Sequence, residues 1–576
     1  MKSLYALSLL AAALPLHAGT FLVEAEQFAD KGGWGVDTQF IESMGSPYLI
    51  AHGLGKPVAD ASTEVTVPDA GSYRVWVRSI DWTKRLDRKE SAGRFQLLVD
   101  GKPLVAELGT EAAKWTWQPA GKVDLKAGKT KIALKDLTGF DGRADAILFS
   151  SDEAFTPPAD ATFEERTAWK IPGVPSAMED AGNFDLVVVG GGYGGIATAV
   201  SAARMGVKVA LIQNRDVLGG NGSSEIRVWA KGYYPESEYP LADIVKEFED
   251  KAKASPAPGE QFADDLKEKV VRAEKNITLF LGHHAYGVEK KDDKVAAVKM
   301  VDIGAGKLKR VSGRLFADTT GHGFIGLWSG ADHTMTEKGR MGMSNMWIWQ
   351  NRKEAVAFPE QPWMMKFTDK QFPYPIVREG FGHAEWFWES GYDAHPIKDL
   401  EETRDLNMFA AYSAWNSIKN HGAFANRDKL KLGHANAEMT WLAYIGGPRE
   451  TVQLLGDVIL SGKDITGKTP FNDATLLTTW PIDLHFPLAN YKNTIPGRPF
   501  IARAEQGKGL DKYVGYPIPY RILYSRNVPN LFMAGRNISV NRDALGSIRV
   551  MKTIGMMGVT IGRAAALSTA RDCMPR

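Results

Sequence analysis

Residues 184–212 read FDLVVVGGGYGGIATAVSAARMGVKVALI. The apolar run from Phe184 to Val189 predicts a buried strand, and the next six residues include five glycines. A helix is predicted from Ile196 to Met205 and a second strand from Val207 to Ile212. This order of strand, G-x-G-x-x-G turn, helix and strand, within about 30 residues, predicts a βαβ unit that binds a dinucleotide.

The glycines of this turn are expected to have separate tasks. Gly190 permits the tight turn, Gly192 lets the backbone approach a pyrophosphate, and Gly195 lets helix and strand pack closely. Gly194 is the fourth glycine assigned to the cofactor, at the helix end whose free N–H groups favour phosphates. The second strand ends in Gln213-Asn214 where Asp or Glu is usual, so an uncharged amide is expected to contact the ribose.

Three further segments resemble the FAD-dependent oxidoreductases of glutathione-reductase-like topology. They are VLGGNGSSEIR at 217–227, LFADTTGHG at 315–323, and 527–565 with AGRNIS and ALGSIRVMKTIGMMGVTIGRAAA. The resemblance implies a loop beside pyrophosphate and flavin, a strand closing the FAD domain, and a helix from Ser547 to Ala565 whose N-terminus faces the flavin. It also implies that strand 278–288 presents its backbone to adenine. The implied FAD contacts are Gly219, Gly220, Asn221, Ser224, Ala285, Thr320, Gly321, Gly535, Arg536, Ser547 and Arg549.

The chain before this region has a different pattern. Short β-rich runs such as Tyr73 to Arg78 and Phe95 to Val99 are separated by turns such as Pro68 to Gly71 and Asp100 to Pro103. Regular strands of this kind predict an all-β sandwich of jelly-roll type over residues 19–152.

This N-terminal region resembles a carbohydrate-binding module in EAE at 24–26, PDAGSYRVWVR at 68–78 and RADAI at 143–147. The resemblance implies a structural calcium ion bound by Glu24, Glu26 and Asp145, whose oxygens suit a hard cation; the alternative is ordinary carboxylates at strand ends. Aromatic faces suit sugar rings, but large aromatic residues also fill cores and interfaces. The tryptophans that have these two interpretations are Trp34, Trp82, Trp115 and Trp117.

The chain is therefore predicted to combine an all-β jelly-roll sandwich with an α/β FAD-binding Rossmann-type domain that contains an inserted substrate domain. A short basic start, an apolar run too short to span a bilayer and a small residue at Ala18 predict a signal peptide over 1–18. The other expected ranges are a linker at 153–182 and an oxidoreductase unit at 183–576, with FAD-binding segments at about 183–335 and 516–570 and a substrate region at about 336–515.

Composition excludes several classes of protein. Seventy basic and 68 acidic residues give a formal net charge of +2, which argues against a nucleic-acid partner. The single cysteine, Cys573, excludes an intramolecular disulfide and any metal site built on cysteines. No transmembrane segment is expected after the signal peptide. The signal peptide predicts an exported protein, either periplasmic or extracellular. The sequence leaves the oligomeric state open.

Oxidation of an alcohol by a flavin requires a base for the hydroxyl proton, and histidine is the usual one. His322 follows the turn at 318–321 and is either that base or part of the cofactor loop. His485 lies two residues after Asp483, so an extended strand would place both on one face. This pair is either a base with its orienting carboxylate or a satisfied core histidine.

Two further residues complete the catalytic candidates. His383 lies with Glu385 among aromatic residues, which suits a sugar pocket or a buried strand of the substrate domain. Arg449 is expected to clamp a substrate carboxylate or hydroxyl, or to pair with Glu450 or Asp457.

The segments at 448–457, 480–487 (WPIDLHFP) and 516–521 (YPIPYR) resemble a secreted branch of the family that occurs beside polysaccharide-degrading enzymes. This likeness implies an exported FAD-dependent oxidoreductase that moves hydride from a sugar carbinol of a glycan or glycoside to flavin. One alternative is redox-assisted glycoside cleavage by oxidation, elimination and re-reduction. The other is a non-catalytic flavoprotein that binds glycans.

Overall fold

The computed structural model describes residues 19–158, 178–235, 241–368, 371, 388–423, 435–489, 494–495, 497–507, 510 and 514–576. The expected signal peptide, most of the expected linker and His383 lie outside the described residues. None of the helices in the described ranges combines the length and apolar character that crossing a bilayer requires.

The apolar run at Phe184 belongs to a strand, Glu179–Val189, near the middle of a seven-stranded sheet. It begins four residues before the expected start of the oxidoreductase unit at residue 183, because Glu179 and Asp180 already pair in register with Lys309 and Arg310. Both expected FAD-binding segments contribute strands to this sheet. In spatial order its strands are Ile277–Phe280, Val209–Ile212, Glu179–Val189, Lys307–Asp318, Lys294–Asp302 and His283–Lys291, with Leu531–Met533 beside Lys307–Asp318.

The motif helix Tyr193–Arg204 packs on this sheet, and the C-terminal helix Met551–Ala570 packs closely against the motif helix. Glycines allow the approach, since a Cβ on Gly558 would lie 2.2 Å from the Gly194 carbonyl oxygen. The other α-helices in the described part of the oxidoreductase unit are Ala242–Phe248, Asp264–Ala273, Phe324–Ser329, Leu400–His421, Gly462–Gly467 and Arg542–Ile548.

The C-terminal helix begins later than the sequence predicts. Ser547 lies in the separate helix Arg542–Ile548, whose N-terminus is capped by the Asn541 side chain. The chain leaves helical geometry at Val550, where φ is −73° and ψ is 143°, and the next helix starts at Met551. The expected single helix from Ser547 is therefore wrong.

The N-terminal unit consists of two antiparallel sheets and the short helix Ile41–Met44. Side chains from both sheets, such as Phe149 and Leu134, share one buried apolar core. One sheet contains Thr20–Glu24, Gly35–Asp37, Tyr48–Ala51, Gly71–Ser79, Thr116–Leu125 and Gly142–Ser150. The other contains Ala61–Val67, Phe95–Val99, Lys102–Pro103 and Gly128–Asp136.

This unit packs on the helix Leu400–His421 through buried charges. Arg143 pairs with Asp405 at 2.5 Å, and Arg404 pairs with Asp37 at 2.9 Å, with all four side chains fully buried. Trp115 donates to Glu401 at this interface, at 3.1 Å. The other three candidate sugar-stacking tryptophans, Trp34, Trp82 and Trp117, are buried. Among the described residues these four side chains thus serve the core and the interface, not an open sugar platform.

The remaining strands of the described residues are short, and most of them belong to the expected substrate region at 336–515. They pair as His333–Met335 with Val452–Leu454, Met343–Ser344 with Glu389–Ser390 and Gly447–Pro448, Trp347–Asn351 with Ala437–Leu442, Ala474–Thr478 with Tyr516–Pro519, and Asp483–Pro487 with Ala502–Gln506.

Candidate active site

A cavity of about 280 Å³ lies where the predicted FAD segments converge. It is bounded by the loop after the first strand, the start of the C-terminal helix and part of the N-terminal unit. The predicted site residues that line it are Gly190, Gly192, Gly194, Gln213, Asn214, Gly219, Gly220, Asn221, Ala285, Thr320, Gly321, His322, Arg449, Gly535, Arg536 and Arg549. Gly195, Ser224, Ser547 and His485 do not line it.

The glycine loop has the geometry that its sequence predicts. Gly190 has a φ of +106°, and a Cβ there would lie 2.4 Å from the Thr319 carbonyl oxygen. A Cβ on Gly195 would lie 1.8 Å from the Gly190 oxygen, so only glycine allows this contact between strand and helix. A Cβ on Gly192 would meet only Gly220, at 4.0 Å, which leaves its backbone accessible from the cavity.

Gln213 has a different role from the expected ribose contact. Its side chain is buried, with Oε1 accepting the Gly191 N–H at 2.8 Å and Nε2 donating to the Val217 carbonyl at 3.0 Å. The amide therefore braces the glycine loop, because both of its polar ends are already used by backbone. Asn214 lines the cavity, and its contact with the ribose stays a prediction.

Two predicted FAD contacts point elsewhere. The backbone N–H of Ser224 donates to Asp264 at 3.1 Å, outside the cavity. The hydroxyl of Ser547 donates to the Trp480 carbonyl at 2.7 Å, because Ser547 lies within its own short helix and not at a helix end facing the cavity. The backbone of Ser224 and the side chain of Ser547 support neighbouring segments instead.

Arg536 shows whether the residues of the cavity suit a dinucleotide, because its buried positive charge requires an anionic partner. Its guanidinium lines the cavity, Nε has no hydrogen-bond partner, and no ion pair of Arg536 occurs among the described residues. Burial, with a smaller contribution from Arg215, lowers its pKa to about 10. A pyrophosphate would neutralise this desolvated cation and accept from the N–H groups of the glycine loop. The donors and charge therefore fit FAD.

His322 lies beside this arginine in a row of rings. It stacks on Phe324 at 5.1 Å between centroids, and Phe324 stacks on Trp328 at 5.5 Å. Arg536 Nη2 is 3.2 Å from His322 Nε2, so Nε2 accepts and the proton belongs on Nδ1. Burial and the two nearby arginines hold the pKa of His322 well below its ordinary value. This geometry favours the cofactor-loop interpretation over the base.

A second polar cluster lies at another part of the cavity, around the strand Asp483–Pro487. Asp483 lines the cavity, whereas His485 is fully buried behind it with Nε2 3.8 Å from Asp483 Oδ1. The other ring nitrogen, Nδ1, is 2.7 Å from Glu389 Oε2. The expected common face is present, but it is Asp483 and not His485 that lines the cavity.

Glu389 anchors this cluster as an anion. Burial alone would raise its pKa, but Arg449, His485 and the Gly342 N–H lower it to about 2. Arg449 lies 3.2 Å from Glu389 Oε2 and donates to the Ser344 hydroxyl at 2.9 Å. The expected pairing with Glu450 or Asp457 is thus replaced by Glu389, a residue distant in sequence. Burial also lowers the pKa of His485, which favours its neutral form.

Sequence reasoning missed the aromatic and cationic residues around Asp483. Lys231 Nζ lies 3.4 Å from the Trp229 ring centroid, and Trp480 Nε1 donates to Asp483 Oδ2 at 3.3 Å. Lys231, Trp229 and Trp480 line the cavity. Arg549 also lines it, and donates to the Asp483 backbone carbonyl at 3.0 Å. The position of Trp480 within WPIDLHFP was an available signal. Trp229 and Lys231 follow the glycine-rich segment at 217–227, and only the path of the chain brings them here.

The three carboxylates predicted to hold calcium also come together. Glu24, Glu26 and Asp145 are buried, and one potential ligand oxygen from each lies within 4.8 Å of the others. Asp145 also accepts from Arg78 and from the Ser46 hydroxyl, both at 2.6 Å. The calcium ion itself stays a prediction.

The parallel strands of a mixed sheet, a glycine loop and a desolvated arginine on one cavity define a dinucleotide-binding protein. The chain belongs to the FAD dependent oxidoreductase family, whose sequence profile matches residues 185–576. The predictions of an oxidoreductase, of FAD and of a Rossmann-type fold are thereby confirmed.

Solved structures similar to this chain include both flavoenzymes and a binding module. A geranylgeranyl bacteriochlorophyll reductase-like protein from Thermoplasma acidophilum is 14% identical over 69% of this chain and 80% of its own, with a TM-score of 0.31. The L-proline dehydrogenase from P. horikoshii is 14% identical over 44% and 32%, with a TM-score of 0.19. A family 35 carbohydrate binding module from Clostridium thermocellum is 19% identical over 23% and 100%, with a TM-score of 0.19. Among curated proteins, none matches.

Proposed function

We propose that this FAD-dependent oxidoreductase oxidises a carbinol of a carbohydrate or glycoside, and that Asp483 takes the hydroxyl proton. The observation that carries the proposal is the position of Asp483 Oδ1. This oxygen is buried, belongs to a side chain that lines the cavity, and has no hydrogen bond among the described residues. A hydroxyl group entering the cavity would satisfy it.

The residues behind Asp483 suit proton transfer. Oxidation of the carbinol releases a hydride from carbon and a proton from oxygen, and bound FAD supplies the acceptor for the hydride. The proton passes to Asp483 Oδ1, and neutral His485 offers Nε2 at 3.8 Å to receive it next. The Glu389 carboxylate holds the opposite ring nitrogen and stabilises the charged imidazole. His485 is therefore a positioning and relay residue.

The surroundings of Asp483 favour a polyol substrate with apolar ring faces. Trp229 and Trp480 line the same cavity as the cationic groups of Lys231, Arg449 and Arg549. Aromatic faces stack on the C–H faces of sugars, and the charged groups orient hydroxyls or a uronate carboxylate. The resemblance of 480–487 to the polysaccharide-associated branch supports the same substrate class.

We further infer that the N-terminal unit is a jelly-roll sandwich of carbohydrate-binding-module type and that the chain works outside the cytoplasm, periplasmic or extracellular. The first inference is supported by two antiparallel sheets on one core. The second is supported by the signal-like sequence of 1–18. Membership of an oxidoreductase family argues against a silent glycan-binding flavoprotein.

The test is anaerobic mixing of the FAD-loaded protein with a panel of plant and host glycans, without an electron acceptor. Net oxidation predicts a single stoichiometric bleaching of the flavin by the cognate glycan. Repeated bond cleavage under these conditions would instead identify the redox-neutral route, because re-reduction of the product restores oxidised flavin. If no glycan bleaches the flavin and no glycan is cleaved, the assignment of a carbohydrate substrate is overturned.

A further inference from the structure

Part of the FAD cavity is built by residues outside the family-matched region. Thr38, Gln39 and Glu42 of the N-terminal unit line it, although the family profile begins at residue 185. We propose that the N-terminal unit completes the binding site for the ADP half of FAD, with Glu42 supplying the carboxylate that the second strand lacks. This inference rests on FAD binding and not on the proposed substrate.

Contacts place Glu42 beside the strand implied to face adenine. Its Oε1 is 2.9 Å from His284 Nε2, and His284 belongs to the strand His283–Lys291 with Ala285. The second oxygen, Oε2, has no hydrogen bond within the described part of the chain. His284, Ala285 and Asn214 all line the cavity together with Glu42. A carboxylate acceptor is therefore available for a ribose hydroxyl or the adenine amino group.

The residues after the second strand of the βαβ unit, Val209–Ile212, explain why another part of the chain must supply the carboxylate. Dinucleotide folds usually hold the ribose hydroxyls with an Asp or Glu at the end of the second strand. Here that position is Gln213-Asn214, and the Gln213 amide already binds the glycine loop through Oε1 and the Val217 carbonyl through Nε2. The segment at 38–42 brings an acid to the same cavity from a different domain.

Hydrogen bonds hold the segment at 38–42, which forms this wall of the cavity, against the oxidoreductase unit. Gln39 Oε1 accepts the N–H of Gly446 at 2.8 Å, and its Nε2 donates to the Tyr444 carbonyl at 3.0 Å. Gln39 also donates its own N–H to Asp37, which forms a buried ion pair with Arg404. Because Asp37 directly precedes Thr38, this ion pair fixes the position of the segment at 38–42. The N-terminal unit is then an integral part of the cofactor site.

The experiment titrates the full-length apoprotein with FAD, ADP and riboflavin 5′-phosphate, following flavin fluorescence and, for ADP, heat of binding. Glu42→Ala is expected to weaken FAD and ADP roughly 10-fold, the size of one hydrogen bond to a charged group, and to leave riboflavin 5′-phosphate unchanged. Glu42→Gln, which keeps the side-chain volume, is expected to weaken them less. The matched control is Glu64→Ala, in the same unit, whose carboxylate is half exposed beside Lys129.

Unchanged FAD and ADP affinity in Glu42→Ala would overturn the proposal. Equal weakening of riboflavin 5′-phosphate would also overturn it, because the effect would then not belong to the ADP half. Thermal unfolding of each apoprotein checks the fold, and if Glu42→Ala does not fold, the comparison is made with Glu42→Gln alone. Glycan-dependent bleaching plays no part in this readout, so its failure is separate from failure of the proposed function.

Discussion

His485 lies directly behind Asp483, with its Nε2 atom 3.8 Å from Asp483 Oδ1 and its Nδ1 atom held 2.7 Å from Glu389. Asp483 lines the cavity, whereas His485 is fully buried and does not line it. In the proposed reaction, this order gives Asp483 the first contact with a substrate hydroxyl. In that reaction His485 acts through Asp483, by orientation and by receiving the proton.

The glycine loop gives a prediction on cofactor binding. Gly192→Ala is expected to fold normally, because the new Cβ would have no neighbour nearer than 4.0 Å. The methyl group would nevertheless project where pyrophosphate approaches the backbone, so FAD affinity should fall roughly 10-fold or more. Equilibrium titration with FAD measures the change. Gly467→Ala, which also meets nothing nearby, is the control. Equal affinity of Gly192→Ala and the wild type would place the pyrophosphate elsewhere.

His322 predicts how stability depends on pH. Its pKa in the folded protein is far below the ordinary value near 6.5, so the unfolded chain binds more protons below that pH. Stability attributable to His322 is therefore present above about pH 6.5 and is lost as the pH falls. Urea unfolding of the apoprotein at pH 7.5 and 5.5 should show a larger loss for the wild type than for His322→Asn. Equal losses of unfolding free energy in the two proteins would show that protonation of His322 does not destabilise the fold.

Chelation tests the carboxylate cluster of the N-terminal unit. Three buried carboxylates within 4.8 Å repel one another, and a divalent cation would offset this repulsion. Calcium at a hundredfold excess over its Kd should add about 2.7 kcal/mol to the free energy of unfolding. EGTA is therefore expected to lower the melting temperature, and added calcium to restore it. Glu26→Gln should remove most of this response, and a wild-type protein indifferent to EGTA would exclude the ion.

The interface between the two units gives a prediction on stability. Asp405→Asn would leave Arg143 and Arg404 buried beside a neutral amide, since both guanidinium groups pair with that carboxylate. Breaking a buried ion pair costs about 3–5 kcal/mol, and urea unfolding should show a loss of that size. Asp332→Asn, in a half-exposed pair with Arg526, should cost under about 1 kcal/mol. Similar losses in the two variants would mean that the buried network contributes little.

The sequence predicted those features that depend on local pattern. The glycine loop, its strand and its helix follow from spacing alone, and the common face of Asp483 and His485 follows from strand alternation. The sequence did not predict which member of that pair reaches the cavity, because this depends on Glu389, almost a hundred residues away.

Other errors have the same origin in long-range contacts. The helix break at Val550 was missed because nothing local interrupts the apolar pattern, whereas the preceding residue, Arg549, reaches across to Asp483. Gln213 was assigned to the ribose because its engagement with the glycine loop is a tertiary contact. The contribution of Glu42 to the FAD cavity joins two domains, and no motif spans them.

The most direct test of the account is single-turnover reduction of the flavin in Asp483→Asn by the cognate glycan. Removing a general base typically costs 10²–10⁴-fold, so bleaching should slow by roughly that factor while FAD affinity stays at the wild-type value. Asp332→Asn should bleach at the wild-type rate. Bleaching of Asp483→Asn at the wild-type rate would contradict the assignment of the hydroxyl proton to Asp483.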